Sequence, residues 1–361
     1  MTSSKPKGHL TIVNGAEYFI GVLEATEEYF EKNEEFTEEI NEYFWRFRSL
    51  FDLLPQTLEK FWSGHVFPFT EAEYEFECSI AFVEMGYYKH AIAALRSVLE
   101  LGILSVYFDV DDKSEVDIKG WLNSAEPTPF RKNVQKKLLK HPNIYFFSQH
   151  YPIFNKFEIL YGKLCDYSHT RGARYSSRKL SLSNTNRFHE KSLSLWFGLV
   201  KEVVEVIAIF HLLKYPIGLQ ETPIEEKFGI NGPAGGFLQP FQSENLKKII
   251  QKDALRILQK ISDQDPDVQG VLKWIRSFED ITEEELKKQF EESDKLTIEG
   301  GGLEQWLKNQ EVLLNNLPQN LNIPPAQTEE KRKYVEKMTR WAKENGYDKK
   351  WGYGSTRSDV P

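Results

Sequence analysis

Three side chains recur at four-residue intervals near the middle of the chain, where the pattern predicts a helix end. Tyr161, Cys165 and His169 therefore share one face of that helix, and Arg171 and Arg174 follow directly. An imidazole can exchange a proton near neutral pH, and guanidinium groups hold phosphate oxygens through charge-assisted hydrogen bonds. The spacing predicts His169 and Arg171 as catalytic residues of a phosphate-directed site.

The predicted binding residues of this site come from both sides of the helix end. Tyr161 and Tyr167 lie on the helix, and Arg174 and Arg178 lie in the polar stretch that follows it. A different interpretation of His169 stays open, because a cation at a helix C-terminus also suits the helix dipole without any catalytic role. We interpret Cys165 as a small apolar core residue, since a lone helical cysteine usually packs.

A second pair of charges lies four residues apart on a strongly apolar helix. Arg96 and Glu100 face the same way, so each can compensate the cost of burying the other. Two interpretations remain: a structural ion pair that fixes helix packing, or polar groups of a site within a helical bundle.

The charge of the chain is unevenly distributed. The segment 131–191 holds thirteen Lys or Arg and three acidic residues, a net charge of +10 in a chain whose total is −8. Ten aromatic residues also lie between Tyr145 and Phe188. Such a block predicts a surface for an anionic partner, RNA or a nucleotide, unless the charges merely solvate several helices.

Composition predicts an intracellular globular protein. The chain has 361 residues, 14% of them aromatic, and only two cysteines, Cys78 and Cys165. Two distant cysteines give neither a disulfide framework nor a paired-cysteine metal site. The first residues lack the apolar core of a signal peptide, and the most apolar stretch, 193–213, carries three charges near its centre. We expect a cytoplasmic location, no membrane partner, no metal and no cofactor.

Helical periodicity dominates the chain. We expect an all-α fold, a helical bundle with a smaller C-terminal helical region, because strand-like alternation is nearly absent apart from a short segment at 9–13. Thr70 with Glu73 and Thr282 with Glu285 are predicted to be capping boxes. The predicted regions are acidic N-terminal helices (1–66), the bundle (67–218), a linker or long loop (219–242) and a C-terminal region (243–361), whose first helix is predicted at 243–262.

The two helices with Arg96-Ser-Val-Leu-Glu100 and Tyr161-Gly-Lys-Leu-Cys-Asp-Tyr167-Ser-His169 resemble those of HEPN-type helical-bundle proteins. The likeness covers about residues 70–215. It implies a bundle of four or five helices, often dimeric, in bacterial defence or toxin–antitoxin systems. Many such proteins are metal-independent ribonucleases marked by an Arg followed four to six residues later by His, and this chain has no such pair.

The chemistry and the resemblance together predict a protein that binds RNA or a nucleotide and is an atypical or degenerate ribonuclease. The alternative is a non-enzymatic interaction or assembly subunit. The acidic N-terminal helices and the basic block could pair between copies in a homo-oligomer. A basic tail with Trp341, Tyr347 and Trp351 resembles C-terminal appendages of some bacterial helicases and phage-related proteins, and it could stack on bases or contact a protein partner.

Overall fold

The computed structural model describes residues 16–54, 60, 64–110, 116–129, 131–183, 185–230, 235–320 and 325–347. The strand predicted at 9–13, most of the glycine-rich segment 232–236 and the end of the basic tail at 348–351 lie outside these residues.

The described residues form seventeen α-helices and no β-strand, which confirms the predicted all-α class. The helices in the first part of the chain are α1 (Ala16–Lys32), α2 (Glu34–Ser49), α3 (Phe67–Glu84), α4 (Tyr88–Asp109), α5 (Val116–Leu122), α6 (Arg131–Leu138), α7 (Pro142–His150), α8 (Ile153–Ser168), α9 (Ser177–Ser181) and α10 (Glu190–Lys214). The later helices are α11 (Ile224–Phe228), α12 (Pro240–Ile249), α13 (Lys252–Gln264), α14 (Pro266–Arg276), α15 (Glu283–Thr297), α16 (Leu303–Asn320) and α17 (Pro325–Glu344).

The chain divides into two compact units. The first unit contains residues 1–225 and 230–278, and the second contains residues 226–229 and 279–361. Helices α12, α13 and α14 belong to the first unit.

The first unit is organised around α10. Most residues of this helix between Ser192 and Leu213 are buried, including Trp196 and Phe210. Helices α2, α4, α7, α8 and α13 all pack on it, and α3 and α4 form the most extensive helix pair of the unit. A helix that is apolar on nearly every side can be stable in water only when other helices cover it on all sides.

Helix α4 approaches α10 closely because it has a glycine at the crossing. A Cβ atom on Gly102 would lie 2.7 Å from Cδ1 of Ile207, closer than packed carbon atoms normally come. Helix α4 is also the one described helix long and apolar enough to cross a membrane, and 72% of its apolar window is buried inside the protein.

One histidine of α10 lies entirely within the core. His211 Nδ1 is 2.9 Å from the Ile207 carbonyl oxygen, so it must donate that hydrogen bond, and Nε2 lies 3.0 Å from the Ser105 hydroxyl, which also donates to the Gly102 carbonyl oxygen at 2.8 Å. Burial lowers the pKa of His211 to about 4, which keeps the ring neutral. A neutral ring with a polar partner at each nitrogen is compatible with the core.

The second unit has its own small core. Ile298, Trp306, Met338 and Ala342 are buried together. The carboxylate of Asp294 accepts hydrogen bonds from Trp306 Nε1 at 2.6 Å and from the Tyr334 hydroxyl at 2.7 Å. These bonds connect α15, α16 and α17.

One of the two predicted capping boxes is confirmed. Thr282 and Glu285 bond each other's backbone amides at the start of α15. The box predicted at Thr70 and Glu73 is wrong, because α3 already begins at Phe67, with Pro68 in its first turn. The Thr70 hydroxyl instead donates to the Phe67 carbonyl oxygen at 2.9 Å.

The close crossing predicts opposite effects for two glycine substitutions. Gly102→Ala should lower the free energy of unfolding by about 1–3 kcal/mol, since Ile207 must move in a packed core. Gly198→Ala, on the exposed face of α10 with no atom near its Cβ position, should raise it by about 0.5–1 kcal/mol. Urea denaturation of the two variants measures both values.

Adding Ile207→Val to Gly102→Ala should recover part of the loss, because it removes the methyl group that the new Cβ meets. A Gly102→Ala protein as stable as the wild type would contradict the close crossing.

Candidate anion-binding loop

Helix α8 carries the predicted site residues to the surface. Its buried stripe includes Phe157, Leu160 and Leu164, which pack in the core of the first unit. At its end, the Arg171 amide donates to the Asp166 carbonyl oxygen at 2.9 Å, and the Thr170 amide donates to the Tyr167 carbonyl oxygen at 3.2 Å. These two bonds form a Schellman motif, which satisfies the last carbonyl groups of the helix.

The residue in the left-handed position of this motif is a threonine. Thr170 has φ of 49°, a region that β-branched residues rarely adopt. Glycine is the residue usually found there, because it has no Cβ to clash. Strained backbone of this kind persists where the surrounding structure holds it, and it is frequent in functional loops.

The segment after α8 is held in place by its own hydrogen bonds. Residues Ala173–Tyr175 form a 3₁₀ turn, and Ser176 Oγ caps α9 by accepting from the Lys179 amide at 3.2 Å. The Tyr175 ring packs edge-on against Tyr167 at 5.0 Å between centroids. Leu180 is buried, and its carbonyl oxygen accepts from Ser192 Oγ at 2.7 Å. We call residues 169–179 the basic loop.

The side chains of the basic loop carry positive charge into solvent. His169, Arg171, Arg174, Arg178 and Lys179 are all exposed. The Arg171 guanidinium lies 3.3 Å from the Asp166 carboxylate, yet the arginine side chain stays 78% exposed. An ion pair so open to water is weak and leaves the arginine able to contact an anion. Arg174 lies over the ring of Tyr175, 5.6 Å from its centroid.

Three of the predicted binding residues form a separate cluster. Arg96 Nη2 donates to Glu100 Oε1 at 3.0 Å and to the Tyr161 hydroxyl at 2.9 Å, and Tyr161 donates to the same carboxylate. Arg131 lies over the Tyr161 ring at 4.3 Å and pairs with Glu158. The cluster connects α4 and α8. Its arginines are paired with carboxylates within the cluster, namely Arg96 with Glu100 and Arg131 with Glu158.

The pKa shifts of Tyr161 and Arg96 agree with the hydrogen bonds that they make to each other and to Glu100. Burial and the hydrogen bond to Glu100 raise the pKa of Tyr161 to about 12. Burial alone would lower the pKa of Arg96, but its bonds to Tyr161 and Glu100 raise it. Tyr161 lies eight residues before His169, about 12 Å along the helix axis. His169, Arg171, Arg174 and Arg178 all belong to the exposed basic loop, whereas Arg96, Glu100 and Tyr161 are hydrogen-bonded to one another on a separate part of α4 and α8.

Tyr167 belongs to the support of the loop. It is buried beneath the loop, and burial, followed by the neighbouring Tyr175, raises its pKa. Cys165 is half-buried against the core. Among the residues that the structure describes, no group of three or more His, Cys, Asp or Glu could hold a metal ion.

Much of the basic block outside the loop is neutralised by carboxylates from other helices. Lys137 pairs with Asp117 at 2.6 Å, Lys156 with Glu205 at 3.2 Å and Lys163 with Glu202 at 2.9 Å. The net charge of +10 counted for residues 131–191 therefore overstates the positive charge of the surface, because the neutralising carboxylates lie outside that segment.

Lys179 is the cation of the loop that the sequence did not single out as a site residue. Its neighbour Arg178 was predicted, and Ser176 two residues earlier has the N-cap signature that orders the short helix α9. That signature could have indicated that the segment is ordered.

The positive φ of Thr170 predicts that glycine at this position makes the protein more stable and leaves its fold unchanged. Thr170→Gly should raise the free energy of unfolding by up to about 1 kcal/mol, because glycine adopts positive φ freely. Thermal unfolding of the variant measures this change. The control is Thr339→Gly, in the middle of α17 with ordinary helical geometry, which should be destabilised by glycine. A destabilised Thr170→Gly protein would contradict the left-handed geometry.

No protein-family model matches the chain, and neither a curated protein nor a solved structure matches it.

Proposed function

We propose that this protein binds single-stranded RNA, with the basic loop as its phosphate-contacting surface. The observation that carries the proposal is the exposure of four cations and one imidazole within eleven residues, with Asp166 the one ion-pair partner among the described residues. Exposed Lys and Arg side chains supply most of the affinity of proteins for nucleic acids, since each phosphate contact releases counterions.

The arrangement of these cations favours a polymer over a single nucleotide. A mononucleotide site is a concave pocket that buries most of its ligand. The charges of the basic loop instead lie exposed in solvent, where each contact is weak and several must act together. The half-buried Tyr175 ring beneath Arg174 offers a platform for one unstacked base.

Cleavage of the bound RNA is a second candidate, favoured by the exposed position of His169 beside Arg171. The imidazole would take the proton of a 2′-hydroxyl, whose oxygen attacks the adjacent phosphorus, and the 5′-oxygen leaves with a proton from solvent. Arg171 would stabilise the charge on the phosphoryl oxygens. Such an activity would fit the bacterial defence or stress systems that the resemblance to HEPN-type proteins implies.

Assembly through charge is the alternative function. Helices α1 and α2 expose a run of carboxylates, namely Glu24, Glu27, Glu28, Glu31, Glu34, Glu35, Glu38 and Glu42. A second copy could contact this acidic face with its basic loop. Self-association that disappears at high salt, together with no affinity for RNA, would favour this alternative.

RNA affinity should depend on the basic loop and on salt. The triple variant Arg174→Ala/Arg178→Ala/Lys179→Ala should bind a labelled single-stranded RNA of about 20 nucleotides at least about tenfold more weakly. The slope of log affinity against log salt should fall by about 0.7 for each phosphate that the variant no longer neutralises. Fluorescence anisotropy between about 50 and 300 mM salt measures both quantities.

The matched control removes the same charge from the second unit. Lys287, Arg332 and Lys333 are exposed, and a triple variant with alanine at these positions should bind nearly as the wild type does. Equal losses of affinity in both triple variants, or no wild-type binding at low salt, would contradict the proposal. In the same samples, RNA cleavage that persists with a chelator and disappears in His169→Ala would support catalysis, and intact RNA with the wild type would exclude it.

A further inference from the structure

A cleft of about 640 Å³ opens in the first unit between α2, the start of α3 and α12. Its volume lies in the range of small-molecule sites. Its walls combine aromatic rings with carboxylates, namely Trp45, Phe51, Phe241, Glu42, Asp52 and Glu73. It uses none of the residues of the basic loop.

Two of the three aromatic rings of the cleft are exposed to solvent. Trp45 is 60% exposed and Phe241 is 65% exposed. Exposed large aromatic side chains lose the benefit of burial, so a pair of them lining one concave surface indicates a binding role. Their faces attract cations as well as apolar groups.

Arg46 and Arg48 also line the cleft and pair with Glu42 and Glu73, whereas Asp52 has no ion-pair partner among the described residues. Asp52 Oδ2 accepts a hydrogen bond from Gln242 Nε2 at 2.7 Å, and no Lys or Arg of the described residues lies within salt-bridge distance of Asp52. Half-burial raises the pKa of Asp52, and burial likewise raises the pKa of Glu73. Arg48 opposes both shifts, and an ammonium group paired directly with Asp52 would stabilise its carboxylate further.

The position of Arg48 shows that the cleft can hold a cation. Arg48 lies over the Trp45 ring at 5.4 Å and bonds Glu73 Oε1 through Nε at 2.9 Å. Its side chain remains 50% exposed, so a ligand can displace it. The same ring and carboxylate therefore already hold one cation, while Asp52 holds none.

We propose that this cleft binds an aliphatic polyamine. One ammonium group pairs with Asp52, a second competes with Arg48 for Glu73, and the alkyl chain lies against Trp45 and Phe241. Asp52 Oδ2 is already used by Gln242, so a compact ammonium fits the remaining oxygen better than a guanidinium, which prefers two. Polyamine binding in the cleft does not depend on RNA binding, because a polyamine has the opposite charge to RNA and the cleft shares no residue with the basic loop.

Calorimetric titration of the nucleic-acid-free full chain with spermidine tests the proposal. Asp52→Asn should weaken binding at least about tenfold, because it removes a charged hydrogen-bond partner. Trp45→Ala should also weaken it. Arg48→Gln should strengthen binding, since Glu73 and the Trp45 ring become free. Thermal unfolding of each variant shows whether it is folded.

The matched control is Glu31→Gln on α1, which is exposed, does not line the cleft and has the same change of charge. It should bind spermidine as the wild type does. Equal losses of affinity in Asp52→Asn and Glu31→Gln would overturn the site, since they would show unspecific charge attraction. Undetectable wild-type binding would overturn it too, and butylamine binding as tightly as spermidine would overturn the use of two carboxylates.

Discussion

The burial of α10 is the constraint on which the first unit depends. A helix with so little polar surface must be covered on all sides, so the other helices are positioned by their contact with it. Gly102 lets α4 come close, and the one buried carboxylate of α10, Glu205, is matched by Lys156 of α8 and by the Gln251 amide at the start of α13. Removing one partner would leave a charge in the core.

The basic loop follows from this arrangement. Helix α8 must turn its apolar stripe towards α4 and α10, so the polar residues after Ser168 can only lie outside the packed layers. The Schellman motif at Thr170 turns the chain, and the buried Leu180 returns it to the core. The arginines between Thr170 and Leu180 therefore extend into solvent. Their exposure is therefore a consequence of core packing and not of their own interactions.

Much of the fold could be predicted from local pattern, and the errors occur where tertiary contacts decide. The all-α class is confirmed, and α8 and α10 occur close to where their apolar residues predict. The helix predicted at 243–262 is wrong, because it is broken at Ile250 and Gln251, where the Gln251 amide bonds Glu205 from a distant part of the chain. Arg96 and Glu100 do face the same way, as their spacing predicts. Their spacing gave no sign that the hydroxyl of Tyr161, from another helix, would complete their network. Periodicity places residues on a helix face, and it cannot tell which face of another helix lies opposite.

We propose that the basic loop, which its own hydrogen bonds hold in place after α8, is the surface that contacts RNA. Hydrogen exchange followed by mass spectrometry, on the protein alone and with excess single-stranded RNA, measures this most directly. We predict slower exchange in peptides that span residues 169–183 and unchanged exchange in peptides from α1 and α2. Protection confined to other parts of the chain, with residues 169–183 unchanged while RNA is bound, would contradict it.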